Sequence, residues 1–214
     1  MRYGGLMGRY RGPSCRLCRR EGIKLMLKGE RCLSSKCEIM KKKLPPGVQP
    51  RRRSKQSEYG VQLREKQKVK RYYGLLENQF RNYFEIASRK KGVTGELLLT
   101  LLEQRLDNVV YRMHFASSRK AARQLVRHGH IIVNDKKVDI PSYLVKEGDE
   151  VAVREKSKKM IPVLESLKDI SRVGTVSWIE VDPDNVKGKF LYLPKREEID
   201  LPVNEQLIVE LYSK

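Results

Sequence analysis

Beyond Cys37 the sequence has no cysteine, and across 214 residues it has a single tryptophan and three histidines. A fold stapled by disulfides throughout is therefore excluded. His114, His128 and His130 have no carboxylate or nucleophile at a catalytic spacing, and no phosphate loop or other catalytic signature accompanies them. An enzyme is not expected. No apolar run approaches the ~20 residues of a membrane span, and no short apolar core follows the basic N-terminus as in a secretory signal, so a cytoplasmic protein is expected. Acidic residues are scarce where the chain begins. Residues 1–95 hold 26 Lys/Arg against 7 Asp/Glu, a net +19 of the chain's +20, whereas 96–214 hold 20 against 19. Such a field attracts RNA, DNA or anionic membrane, and the first half is the part that meets it. With 39% hydrophobic residues the chain can bury one or two modest cores.

What is present is organised around Arg105–Asn134, RLDNVVYRMHFASSRKAARQLVRHGHIIVN. The pattern reads as two amphipathic helices joined by a tight turn and followed by an alternating strand. Leu98, Leu102, Leu106, Val109 and Met113 form one apolar stripe, with Arg105 and Arg112 at its margin. In the next helix Arg119, Lys120, Arg123 and Arg127 fall within an arc of ~100°, with Ala121 and Leu125 opposite. Ser117 or Ser118 suits the N-cap and Gly129 the C-cap. Six Lys/Arg stand against one acid, Asp107, between Arg105 and His130. A single arginine here is usually a solvated helix face, but the collected pattern predicts a ridge for a polyanion. Gln124, His128, His130 and Asn134 are the neutral polar contacts expected beside it.

Before this module, Glu58–Lys91 carries apolar residues at helical steps interleaved with Arg64, Lys66, Lys68, Lys70 and Arg71, which are candidate phosphate contacts. Gly74 divides the segment into two helices. Its tyrosines could stack on bases, although aromatics at helical spacing usually build cores. KKKLPPGVQPRRRSK, Lys41–Lys55, has three prolines, a glycine and seven cations and no hydrophobic stripe. It reads as a linker lying on phosphate, with Arg51, Arg52 and Arg53 as contacts. Beyond the module, Asn134 and Asp135 turn into Lys137 and Val138. A strand follows near Val151, then a helix or coil over SKKMIPVLESLKDIS, and a β pair whose turn passes through Asp184, Asn185 and Gly188.

All four cysteines lie near the start, Cys15-x2-Cys18, thirteen residues, then Cys32-x4-Cys37. Two close thiolate pairs can occupy the corners of a tetrahedron around one Zn²⁺ at ~2.3 Å, so one structural zinc is expected. Disulfides, spare thiols and an iron–sulfur cluster are the competing readings. The seven Lys/Arg from Arg16 to Lys36 would offset the −2 formal charge of such a centre.

RLDNVVYRM and SRKAARQLVRHGHIIVN resemble the RNA-binding module of the small-subunit ribosomal protein four family, bacterial type. YGVQLREKQKVKRYYGLLENQFRNYF, TGELLLTLLEQRLDN and the ending LIVELYSK are similar to its bacterial members as well. Some members carry the four-cysteine set and others lack it, so the resemblance implies a structural metal. It also implies a primary 16S rRNA-binding protein that nucleates assembly of the small subunit and contributes to translational accuracy. The implied neighbours are ribosomal proteins five and three, and messenger RNA where it enters the subunit. The fold expected is α+β: an N-terminal zinc knuckle and helical domain, plus a helix-turn-helix-strand RNA-binding module on a small β-sheet. The expected divisions are 1–47 as arm and zinc site, 48–95 as helical domain, and 96–195 as RNA-binding module around 105–134. The resemblance adds a C-terminal segment, 196–214, returning to complete the helical domain. The alternatives are a stand-alone RNA-binding protein using the same module, or an RNA-modifying or aminoacylating enzyme bearing it as an appendage, for whose catalytic domain the remaining ~95 residues leave no room. A zinc-ribbon DNA regulator lacks a separate recognition helix. Neither a DNA nor a membrane partner is expected.

Overall fold

The local patterning resolves into two compact units. A computed structural model describes residues 10–48, 55–168, 170 and 174–213. Met1–Arg9 of the expected arm and the linker arginines Arg51, Arg52 and Arg53 lie outside these residues. The first unit is made from the described parts of Met1–Leu27, Arg31–Gly95 and Val203–Lys214, and the second from Lys28–Glu30 and Glu96–Pro202.

In the first unit α1 (Ser14–Glu21) turns Ser14, Cys18 and Glu21 inward, one residue per turn, and ends at Gly22 with φ 72°. α2 (Glu58–Tyr72) begins where the Ser57 hydroxyl accepts a bond from the Gly60 amide at 3.2 Å, which satisfies one orphan N–H of the first turn. Gly74, at φ 67°, allows the reversal into α3 (Glu77–Ser88), as the sequence predicts. Val69, Tyr72, Tyr73, Phe80, Tyr83 and Ala87 are buried. These tyrosines therefore build the core and offer no face to a base. Each fully buried side chain such as Phe80 contributes ~1.5–3 kcal/mol of apolar transfer. A last helix, Glu205–Ser213, packs on α2. Gln62 donates to Glu210 at 3.0 Å, and the Tyr212 ring stacks on Phe84 with centroids 4.4 Å apart.

In the second unit α4 (Thr94–Glu103), α5 (Leu106–Arg112) and α6 (Arg119–Arg127) precede β1 (Ile131–Val133) and β2 (Lys136–Lys137). β3 (Glu150–Val153), α7 (Glu155–Lys158), α8 (Ile161–Leu167), β4 (Ile179–Asp182) and β5 (Lys187–Phe190) follow. The five strands form one antiparallel sheet in the order β2-β1-β3-β5-β4. Val109, Val110, Met113, Phe115, Val126, Ile131, Val151, Trp178 and Phe190 fill the core beside it.

Two sequence expectations change here. The apolar stripe from Leu98 to Met113 belongs to two helices, because Gln104 and Arg105 are drawn out of the helical path. The Val145 amide bonds to the Gln104 carbonyl at 2.9 Å, Arg105 bridges Leu144, and the Leu106 amide reaches Tyr143 at 2.8 Å. The stripe keeps its period across the break because α4 and α5 both bury apolar residues, which leaves periodicity blind to the interruption. Gly188 sits inside β5, and the β4–β5 turn is closed by Asp182 accepting from the Asn185 amide at 3.2 Å. A side chain at Gly188 would meet the Glu180 carbonyl and the Met113 thioether.

Candidate nucleic-acid interface

α6 places its arginines by a simple rotation. Ser118 caps it by accepting from the Ala121 amide at 3.3 Å, and Ala122, Leu125 and Val126 face inward. Arg119 lies beside these three on the wheel and is 8% exposed, so it leaves the expected ridge. Its Nε donates to Asn108 Oδ1 at 2.7 Å and its guanidinium lies 4.4 Å from the Tyr111 ring centroid. Arg105 is 1% exposed and holds Asp107 through Nε–Oδ1 at 3.0 Å and Nη2–Oδ2 at 2.8 Å. Arg112 forms the same kind of fork with buried Glu103, at 3.1 and 2.8 Å. Arg105, Arg112 and Arg119 thus hold α5 in place, and the surface ridge is narrower than the sequence suggested.

What remains on the outer side of α6 is Lys120, Arg123, Gln124, Arg127 and, just past its end, His128. Arg123 shares Asp107 with Arg105, at 3.2 Å. Arg127 and His128 are exposed, and Arg127 makes no ion pair with another described residue. Two further elements bring cations to the same end. The hairpin turn at Asn134 and Asp135, with φ 46° and 62°, folds β2 back so that Lys137 pairs with Ile132 and Lys136 with Val133. The end of the Lys137 side chain then covers Gly129, where an added methyl would collide with it. Arg154, at the end of β3, donates to the Gly129 carbonyl at 3.2 Å. Cations from α6, β2 and the β3 end therefore gather over a buried glycine held at φ 70°, a conformation that glycine adopts without strain. Sequence reading missed Lys136, Lys137 and Arg154. The Asn134–Asp135 turn was the available signal, since a two-residue hairpin sets Lys137 opposite Ile132.

His130 and Asn134 serve the scaffold. His130 Nδ1 lies 2.8 Å from the Ser157 hydroxyl, and Asn134 joins Asp149 and the Glu150 amide at 2.8 and 2.9 Å.

In the first unit the five candidate cations of α2 are paired internally. Arg64 and Arg71 converge on Glu21, whose side chain is fully buried. Burial raises the Glu21 carboxyl and lowers the Arg71 guanidinium, each opposed by the attraction between them. Lys66 and Lys70 reach Glu77 at 2.5 and 2.7 Å, and Lys68 pairs with Glu65. Burial alone would raise Glu77, but the two lysine hydrogen bonds prevail and lower it to about 2. Burial, followed by the nearby Glu77 charge, raises the Tyr212 phenol.

Cys18, Cys32 and Cys37 are buried, Cys15 is half-buried, and none of the four is joined in a disulfide. Burial raises the Cys18 thiol, and Cys32, Cys15 and Cys37 act on it in the same direction. The cysteines are thus neighbours and of the right chemistry for a soft divalent metal. Their side chains are not closed into a ligand set: among the described residues no group of three or more His, Cys, Asp or Glu stands in metal-holding geometry.

Comparison with known proteins bears on the whole chain. The profile of the ribosomal protein S4/S9 N-terminal domain matches residues 9–103, and that of the S4 domain matches residues 104–151. Small ribosomal subunit protein uS4 of Geotalea daltonii is 62% identical over 208 residues, covering 97% of this chain and 100% of the relative. This chain belongs to the uS4 family. Its uS4 relative from Natranaerobius thermophilus is 63% identical over 210 residues, and the uS4A of Symbiobacterium thermophilum 61% over 208, with the same shares covered. The S4-domain match takes in α5, α6, β1, β2 and the first half of β3, so it spans the cations around Gly129 except Arg154. No helix among the described residues is long and apolar enough to cross a membrane.

Proposed function

We propose that this chain is an rRNA-binding structural constituent of the small ribosomal subunit in the bacterial cytoplasm. The observation that carries the reading is full-length identity above 60% to proteins named as uS4. The exposed cations gathered around Gly129 supply a surface suited to it. Phosphate attraction gives such a surface affinity, and its fixed geometry gives register on the folded RNA. The partner is 16S rRNA, on which the chain nucleates subunit assembly, with ribosomal proteins five and three and messenger RNA as neighbours in the particle. It supports translational accuracy by position and has no catalytic role. The contacting residues are Lys120, Arg123, Gln124, Arg127, His128, Lys136, Lys137 and Arg154, with Arg51–Arg53 on the linker. One Zn²⁺ held by Cys15, Cys18, Cys32 and Cys37 would brace the N-terminal lobe with no open coordination position. Support for it is the thiol-only donor set at paired spacing, in neighbouring and mostly buried positions.

Footprinting of 16S rRNA with the purified chain tests the reading. Discrete protections in the 5′ domain, reduced in an Arg127→Ala/Lys137→Ala variant, are expected; uniform weak protection along the whole RNA would overturn it.

A further inference from the structure

The exposed face of α1 lies opposite the inward Ser14, Cys18 and Glu21. Arg16, Arg19 and Arg20 share it, three and four residues apart. Two of them fix the chain that follows the cysteines. Arg19 Nη1 donates to the Leu44 carbonyl at 2.9 Å, and Arg20 Nη2 to the Pro46 carbonyl at 3.2 Å. This holds the Leu44–Pro46 segment alongside α1, with its carbonyls turned to the arginines. Between them lies an open recess of about 580 Å³, lined by Arg16, Arg19, Lys43, Leu44, Pro45 and Pro46. That volume falls within the range of small-molecule sites.

The two sides of the recess differ chemically. Arg19 is held 3.0 Å from Glu38, and Lys43 stands 3.5 Å from the same carboxylate while half its side chain stays open. Arg16 is exposed and makes no side-chain hydrogen bond or ion pair with another described residue. The other side is apolar and rigid: Leu44 is 61% exposed, and the two prolines fix the backbone beneath it. An apolar floor with a cationic rim does not suit a bare phosphate, which would leave Leu44 and the prolines wet. It does not suit an apolar peptide, which would leave Arg16 without a counter-charge. A planar base with a phosphate attached satisfies both sides.

We propose that this recess seats one unstacked nucleotide of an RNA chain, its base against Leu44, Pro45 and Pro46 and its phosphate toward Arg16 and Lys43. The proposal rests on the RNA-binding reading above and adds to it a base-sensing site in the cysteine-bearing lobe. Arg19 and Arg20 act there as positioning residues, because their hydrogen bonds hold the floor.

The test uses the full chain, fluorescein-labelled pentaadenylate, and the same oligomer with an abasic central nucleotide, so that charge is matched and one base is missing. The parent should bind the intact oligomer at least about fivefold tighter, the lower range for stacking one base. Arg16→Ala/Leu44→Ser alters two exposed side chains and should keep the parent's melting temperature while abolishing that difference. Lys43→Ala should weaken both oligomers alike, by about two- to fivefold, as loss of a phosphate contact does. Equal affinity of the parent for both oligomers overturns the proposal, as does a difference that survives in Arg16→Ala/Leu44→Ser. A chain that protects 16S rRNA but fails to discriminate the oligomers loses only the nucleotide site. A chain that binds neither loses the RNA-binding reading as well.

Discussion

Arg105 and Asp107, two residues apart, close a buried two-bond fork at 3.0 and 2.8 Å, and Arg123 reaches the same carboxylate from α6. One acid thus ties the start of α5 to α6. Removing one member of a buried pair typically costs ~3–5 kcal/mol, toward the low end here because Arg123 still faces Asp107. Arg105→Ala should accordingly lower stability by about that much in urea titration. Arg127→Ala, at an exposed helix end, should change it by less than ~0.5 kcal/mol. If Arg105→Ala unfolds at the parent's urea midpoint, the fork is not structural.

The exposed cluster around Gly129 is expected to read out in salt. Each phosphate neutralised contributes ~0.7–0.9 to the slope of log affinity against log salt concentration. Arg127→Ala/Lys137→Ala should therefore flatten the slope by ~1.5 and weaken 16S rRNA binding by ~1 kcal/mol or more at moderate salt. An unchanged slope would place the bound phosphates elsewhere.

The Glu77 hub predicts a pH dependence. Its folded value is lowered to about 2, below the ~4.3 of an unfolded glutamate, so the unfolded state takes up the proton first. The stabilisation is present above about pH 4.3 and is lost as pH falls toward 2. Because the Glu77 side chain is 44% exposed, solvent screens the effect and it stays small. Glu77→Gln should narrow the parent's stability advantage at pH 6 over pH 3, measured by urea titration. A pH profile identical to the parent's would show that the two lysines do not hold the carboxylate.

Metal content provides an independent test. Native mass spectrometry should find one zinc per chain, lost in Cys15→Ser/Cys18→Ser. Chelation should make the described part of the cysteine lobe protease-sensitive and leave α5, α6 and the sheet intact, since their core contains no cysteine. Protein purified under reducing conditions without metal, or unfolding of the whole chain on chelation, would refute the zinc proposal.

Much of the fold was legible because its signals are local. The Ser118 cap, the Asn134–Asp135 turn and the Gly74 break each depend on residues within a few positions. The site was less legible, since what decides whether an arginine faces solvent is often distant in sequence. Glu21 takes Arg64 and Arg71 from 43 and 50 residues away. Arg105 is claimed by Asp107 and by an isolated bridge to Leu144, which no helical wheel contains. Conversely, Lys137 and Arg154 join the candidate surface only after the sheet brings β2 and β3 beside the end of α6.

The packing of Glu205–Ser213 on α2 also sets an order of events during synthesis. Gln62 meets a partner 148 residues further along the chain, Glu210, and Phe84 likewise waits for Tyr212. A chain emerging from the ribosome completes Glu96–Pro202 from neighbouring residues while the helical layer before it still lacks a wall. The first unit to emerge is therefore the last to close, because it waits for the helix Glu205–Ser213 to be made.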